Sequence, residues 1–217
     1  MPRVHTHTKN KAGRERRCGA SGCGHVIQPG EKYFTWEFRY GGAHFRCSDH
    51  YPKRSELTQG KMSEVYAEIE AAEDDIGQAK MVEQVREAVE RVAESVSSVV
   101  EEYREAAESF GGQGENAERA DELESWQSEL ESFSPEEEIE PEDFDEGGER
   151  AELCLDLFGV DNSAELDEDQ LAELEEDLEG RRSDHERDET ARVEAENADL
   201  LDSAMQEAED LLGNCPY

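Results

Sequence analysis

The chain has 217 residues, 35% apolar and 37% charged, with a formal net charge of -36. That leaves too little apolar material for one large core and favours helices that share narrow seams. It also excludes a helical membrane protein, because no apolar run approaches the roughly 18–20 residues that a bilayer requires.

The basic N-terminus is not followed by an apolar segment, so no secretory leader is expected and a cytoplasmic location is. Five cysteines, an odd number, in such a chain favour metal or free thiols over disulfides. The charge is divided. Residues 1–61 hold 12 Lys+Arg against 5 Asp+Glu, a balance of +7, and the rest hold 10 against 53, a balance of -43. A basic head can attract nucleic acid, and an acidic tail repels it.

In chain order, residues 1–17 carry six basic residues and no aromatic, and read as a flexible arm. Seven of the fifteen aromatics then fall between Tyr33 and Tyr51. "EKYFTWEFRYGGAHFRC" predicts two strands around a turn at Gly41-Gly42, where glycine supplies the positive φ of a two-residue hairpin. Alternation places Phe34, Trp36, Phe38 and Tyr40 on one face, with Phe45 joining from the return strand.

From Lys61 to about Ser109 the apolar period is helical. Met62, Val65, Ile69, Ala72, Ile76 and Ala79 step by three and four, and the phase shifts after Gly77, which predicts a bend or local unwinding there. Val82, Val85, Val89, Val92, Val96, Val99, Tyr103, Ala106 and Phe110 then form an a/d seam. Such a stripe needs a cover, either another chain or the later helices, so a homo-oligomer or a protein partner on the Lys61–Phe110 helix is one expectation. "GGQGEN" breaks the pattern, and a short helix follows over about Ala117–Phe133 with Trp126 packed on its apolar side.

Residues 134–149, "SPEEEIEPEDFDEGGE", predict an extended or disordered acidic linker. Further acidic helices fill 150–217. Asp167 and Gln170 form a capping box for one helix, and Ser183 with Glu186 for the next, which ends at Gly213. Cys154 lies in an apolar stripe and reads as a packed thiol, and Cys215 stands alone near the end. "DNSAELDEDQLAEL" is not an EF-hand, because the loop's glycine and final glutamate positions fall on Leu166 and Ala172.

The strongest chemical signal is a metal site. Cys18-x4-Cys23 and Cys47-x2-His50 are two close ligand pairs separated by a hairpin's length of chain, which suits tetrahedral zinc. Gly19, Gly22 and Gly24 let the backbone wrap the first pair. The rival set replaces His50 with His44. That order resembles the zinc finger of poly(ADP-ribose) polymerases, which bind broken DNA. His44 follows the Gly-Gly turn on the return strand, however, away from the site. His5, His7 and His25 are further imidazoles without comparable spacing. Candidate phosphate contacts are Arg14, Arg16, Arg17, Arg39, Arg46, Lys53 and Arg54. No nucleophile–base pair or phosphate loop emerges, so no enzymatic activity is expected.

"IQPGEKYFTWEFRYGGAHFRCSDHYPKRSELTQGKMSEVYA" resembles a group of uncharacterised zinc-ribbon proteins of tailed phages and related viruses, over about residues 18–70. The resemblance implies Cys18, Cys23 and Cys47 as zinc ligands and a viral accessory role. Members tend to have cysteine near position 50, where this chain has His50. The acid-rich, Lys-poor composition, with 6 Lys against 16 Arg, is similar to that of proteins from salt-loving organisms.

The expected fold is therefore a small α+β zinc-binding head, a β-hairpin zinc ribbon over 18–58. A mainly α-helical, coiled-coil-like acidic tail follows, with a long helix and helical hairpin over 61–133. The expected function is a non-enzymatic zinc-binding adaptor or regulator of viral type, contacting nucleic acid or protein through residues 1–54. The alternatives are an assembly protein working through its helices or an acidic DNA mimic.

Overall fold

A computed structural model describes residues 1–8, 15–109, 114–161 and 163–216. The chain forms two compact units. One comprises Met1–Ala79, Glu83–Ser134 and Glu207–Tyr217, and the other Lys80–Val82 and Pro135–Gln206. Among the described residues, no helix is long and apolar enough to cross a membrane.

The head of the first unit is an antiparallel sheet of β1 (His5–His7), β4 (Tyr33–Glu37) and β5 (Ala43–Cys47), in the order β1-β4-β5. A second small sheet pairs β2 (Arg16–Arg17) with β3 (Val26–Ile27). The segment expected as a flexible arm thus supplies two strands. β4 has β5 on one side only, and His5–His7 satisfies the polar edge that would otherwise stay open. Lys9 to Arg14 lie outside the described residues.

The hairpin register sets Tyr33 opposite Cys47, Phe34 opposite Arg46, Thr35 opposite Phe45 and Trp36 opposite His44. Paired residues share a face. Phe45 therefore joins Tyr33 and Cys47, and the expectation that it packs with Phe34 and Trp36 is corrected by parity along the strand. The loop spans residues 38–42 and is closed by the Gly41 N–H on the Phe38 carbonyl at 3.1 Å. It is longer than the expected Gly-Gly turn, and Tyr40 is 89% exposed in it. The left-handed glycines of the head are Gly22, Gly24 and Gly30 instead.

The Phe34–Trp36 face sits over Tyr51 and a 3-10 turn at Ser55–Leu57. The Trp36 indole N–H donates to the Glu56 carbonyl at 3.1 Å. Ser55 donates its N–H and hydroxyl to the Glu70 carboxylate of α1 (Met62–Ile76), at 3.0 and 2.6 Å. The head is thereby fastened to the first helix.

Gly77 ends α1, and the chain reverses rather than bends. Across the reversal Lys61 pairs with Glu102 at 3.1 Å and Arg91 with Glu68 at 3.5 Å. α1 and α2 (Val82–Ser109) are therefore antiparallel. α3 (Glu115–Glu131) returns along α2, tied by Arg104 to Glu124. The last turns of α5 (Glu168–Gly213) complete the packing, where the Trp126 indole donates to the Leu211 carbonyl at 3.0 Å.

The α2 stripe is covered within the chain from Val82 to Tyr103, whereas Ala106 is half-buried and Phe110 lies outside the described residues. Val85, Val89, Val92 and Val96 are all 0% exposed. Ala88, Ala93, Val100 and Ala107 are buried as well, which widens the stripe beyond a/d positions. A narrow a/d stripe suits a two-helix seam, and a wider one suits a helix with neighbours on two sides.

In the second unit, α4 (Glu146–Phe158) is capped by Asp145, whose carboxylate accepts the Gly148 N–H at 3.1 Å. It ends at left-handed Gly159, with N–H bonds from Gly159 to Leu155 and from Val160 to Cys154. Leu153 and Cys154 meet Leu174 and Leu178 of α5. The Asp167–Gln170 capping box forms in both directions, at 2.9 and 3.1 Å.

The second expected box does not form. Ser183 lies inside α5, which runs through Gly180. A mid-helix glycine costs about 1 kcal/mol relative to alanine. Arg181 and Arg182 next to it reach Glu149, Glu152 and Glu146 of α4, which holds the helix across the weak position.

Of the expected linker, residues 135–145 are extended and docked, and residues 146–149 instead open α4. Ile139 exchanges two hydrogen bonds with the Asn197 side chain, at 2.7 and 3.1 Å. The Glu142 N–H donates to Glu189 at 2.9 Å. Arg192 first, and then that N–H, hold the Glu189 carboxyl well below its usual range, at about 2. Phe144 packs against the α4–α5 core and His185.

Two expectations follow. Acid on the helical surface repels itself, and salt screens that repulsion. Raising sodium chloride from about 0.01 M to about 1 M, which shortens the screening length from roughly 30 Å to roughly 3 Å, should raise Tm. A fall in Tm would mean that surface ion pairs outweigh the repulsion.

The second concerns Tyr66, which is 1% exposed. Burial, and then Cys215, push its phenol up from 10 to about 12. The unfolded chain ionises this group near pH 10, so its stabilising contribution is complete below that pH and is lost as pH rises to about 12. Denaturant unfolding across that window should show a steeper loss of stability in the native sequence than in Tyr66→Phe.

Candidate metal centre

The site is assembled from three local features. Cys18 and Cys23 lie on the turn between β2 and β3. There the Cys18 N–H reaches the His25 carbonyl at 2.9 Å and the Cys23 N–H the Ala20 carbonyl at 3.2 Å. Gly22 and Gly24, at φ 73° and 61°, carry the chain through left-handed positions that L side chains rarely adopt. Cys47 ends β5, and a turn closed by the His50 N–H on the Cys47 carbonyl at 3.2 Å brings His50 back over it. The Gly19 N–H donates to the Phe45 carbonyl at 2.9 Å, which fixes the first pair to the edge of the second.

The ligand atoms of Cys18, Cys23, Cys47 and His50 all lie within 4.8 Å of one another. The Cys23 and Cys47 sulfurs are 3.9 Å apart, the Cys18 sulfur is 3.9 Å from His50 Nδ1, and the Cys47 sulfur is 3.0 Å from that nitrogen. Tetrahedral zinc with Zn–S bonds of about 2.3 Å separates its sulfurs by roughly 3.8 Å. Spacing and donor chemistry thus fit a metal ion.

The electrostatics fit as well. Burial acts to raise the Cys18 thiol. The N–H groups of Cys47 and Ala20 and the neighbouring thiols more than offset it, leaving the thiol below its usual range. Cys47, without that donor set, is pushed up by burial. The Cys47 N–H lies 3.4 Å from the Cys18 sulfur, the kind of contact that orients and stabilises a bound thiolate.

His44, His25 and His7 are engaged elsewhere. His44 is three residues from Cys47 on one strand and so lies on the opposite face. It stacks on Trp36 with ring centroids 5.1 Å apart. His25 Nε2 is 3.0 Å from the Glu31 carboxylate. His7 stacks on Tyr33 at 4.5 Å and reaches the Thr35 hydroxyl at 2.9 Å.

The basic residues singled out in the sequence have different local settings. Arg14 lies outside the described residues. The Arg16 guanidinium sits over the Phe45 ring at 4.2 Å, and Arg17 is exposed. Arg39 lies over the ring of exposed Tyr40 at 5.2 Å. Lys53 pairs with Asp74 at 3.6 Å, and Arg54 lies over Tyr66 at 4.7 Å.

Arg46 corrects the expectation of a surface contact. It is 7% exposed, pairs with Glu56 and lies 5.4 Å from the Trp36 ring centre. Its position next to Cys47 decides this, since a strand turns successive residues to opposite faces. Glu56 had no signal in the sequence, because its role depends on the Ser55–Leu57 turn folding over the sheet face that carries Arg46. No protein-family model matches the chain, and comparisons with curated proteins and with solved structures find no match.

Proposed function

We propose that Cys18, Cys23, Cys47 and His50 bind one zinc ion, and that the head it organises is a non-enzymatic binding module, an adaptor or regulator of viral type. The convergence of four ligands carries this reading. All four tetrahedral positions are filled by protein, which is the arrangement of a structural zinc, whereas a catalytic zinc keeps a position open for water or substrate. Zinc supplies folding energy here, as expected where a small sheet has few apolar residues to bury.

The partner contacts the head through its exposed cations and aromatics, Arg17, Arg39 and Tyr40 among them, with nucleic acid the first partner to test. The resemblance of residues 18–70 to phage zinc-ribbon proteins supports a viral setting. Assembly through the α2 seam has less support, because that stripe is covered within the chain.

Elemental analysis of the purified full chain should find about one zinc per chain. His50→Ala and Cys23→Ser should lose it, and His44→Ala should keep it. Loss in His44→Ala with retention in His50→Ala would overturn the ligand set. Binding of a labelled single strand should weaken steeply as salt rises. The absence of binding at low salt would leave a protein as the partner.

A further inference from the structure

Arg46 is a buried cation beside the metal centre. Its guanidinium has two kinds of neighbour. On one side is the Glu56 carboxylate, in direct ion-pair contact. On the other is the ligand loop. Arg46 Nη1 shares the Phe45 carbonyl with the Gly19 N–H, at 3.3 and 2.9 Å. A Cβ on Gly19, the residue after Cys18, would collide with Nη1. The guanidinium thus lies against the ligand loop, in a space that exists because residue 19 has no side chain.

We propose that Arg46 is a positioning residue of the metal centre. Its guanidinium bridges the thiolate cluster and the Glu56 carboxylate, and so couples zinc binding to the seating of the Ser55–Leu57 turn on the sheet. The inference rests on the zinc reading above. Three thiolates and a neutral imidazole around a divalent ion leave one negative charge in excess, and Glu56 is a second anion on the far side of Arg46.

Without the cation, two anions face each other in a poorly solvated space. With it, each anion has a partner.

The link continues to the helices. The Glu56 carbonyl accepts the Trp36 indole N–H, and Ser55 beside it holds Glu70 of α1. The path therefore runs from ligand loop to guanidinium, to the 3-10 turn, to α1, through named contacts within one compact unit.

The test is zinc affinity of the full chain, measured by competition with a chromophoric chelator, together with the absorption of the cobalt-substituted protein. Arg46→Met should weaken zinc by about 10- to 100-fold, the range typical for partners that orient metal ligands. Arg46→Lys, which keeps charge but loses the planar fork, should recover part of that loss. Glu56→Gln retains a partner for Arg46 and removes one anion, so its zinc affinity should hold or tighten. The double variant Arg46→Met/Glu56→Gln should bind zinc more tightly than Arg46→Met alone.

Gly19→Ala, which crowds the guanidinium without touching a charge, should weaken zinc and shift the cobalt bands. If the native chain binds no zinc, the zinc reading itself fails. If it binds zinc and Arg46→Met binds equally well, the coupling through Arg46 fails alone. Equal losses in Arg46→Met and Glu56→Gln would also overturn it, since they would mark the pair as a plain structural contact.

Discussion

Cys47 lies opposite Tyr33 and Arg46 opposite Phe34, and this register of β4 against β5 assigns metal ligand and buried cation to opposite faces of one strand. A slip of one residue would exchange them. It would turn Cys47 toward Glu56, away from Cys18 and Cys23, and leave a guanidinium in the ligand cluster. Side-chain volume enforces the register from both sides. Tyr33, with Ile27, Cys18 and Cys47, fills one small core, and Trp36, 2% exposed, fills the other. The loop glycines and the turn at His50 then only need to bring donors to a place already fixed.

The helical part answers a different problem, a chain with far more acid than apolar surface to bury. Its solution is to concentrate the apolar residues. Alanine and valine line α2 so that α1, α3 and the end of α5 approach closely, and the carboxylates take the remaining surface. The arginines of this part pair mostly with nearby acids, within a helix or across to its neighbour. Exposed pairs of this kind contribute about 0–1 kcal/mol each, so packing, with the caps at Asp145 and Asp167, decides the arrangement.

What the sequence made legible was local. The ligand spacing, the two strands, the Asp167 box and the α2 period each depend on residues within a few turns of one another, and each forms. What it hid depends on distant partners. Gly77 reads as a bend or a local unwinding, and the reversal found there depends on the cover that α3 and the end of α5 provide. Ser183 and Glu186 carry the right spacing for a box, yet Arg181 and Arg182 keep the helix unbroken by gripping α4, which lies about thirty residues earlier in the chain. Phe144 reads as a linker residue until His185 and the α4–α5 core are present beneath it. Arg46 reads as surface charge because basic residues usually are. Glu56, ten residues beyond it on a turn over the same sheet face, pairs with it and makes its burial tolerable.

Within the head, the ligand cluster is the part under the tightest constraint. Tyr40 and Arg39 stand on a loop where exposure asks little of sequence. Cys18 and Cys47 are buried thiols packed with Ile27 and Tyr33, and the Arg46 guanidinium that pairs with Glu56 lies against their loop. Buried thiolates and a buried cation are each costly alone. Under the zinc proposal these costs cancel in combination. A bound ion would make the thiols a compact anion, and that anion would be a second partner for the guanidinium. The guanidinium already pairs with Glu56, whose carbonyl accepts the Trp36 indole N–H. Zinc, in this reading, organises more than the loop that binds it. It completes a sequence of charges that ends on the first helix, so that the head and the helices of its unit fold as one structure.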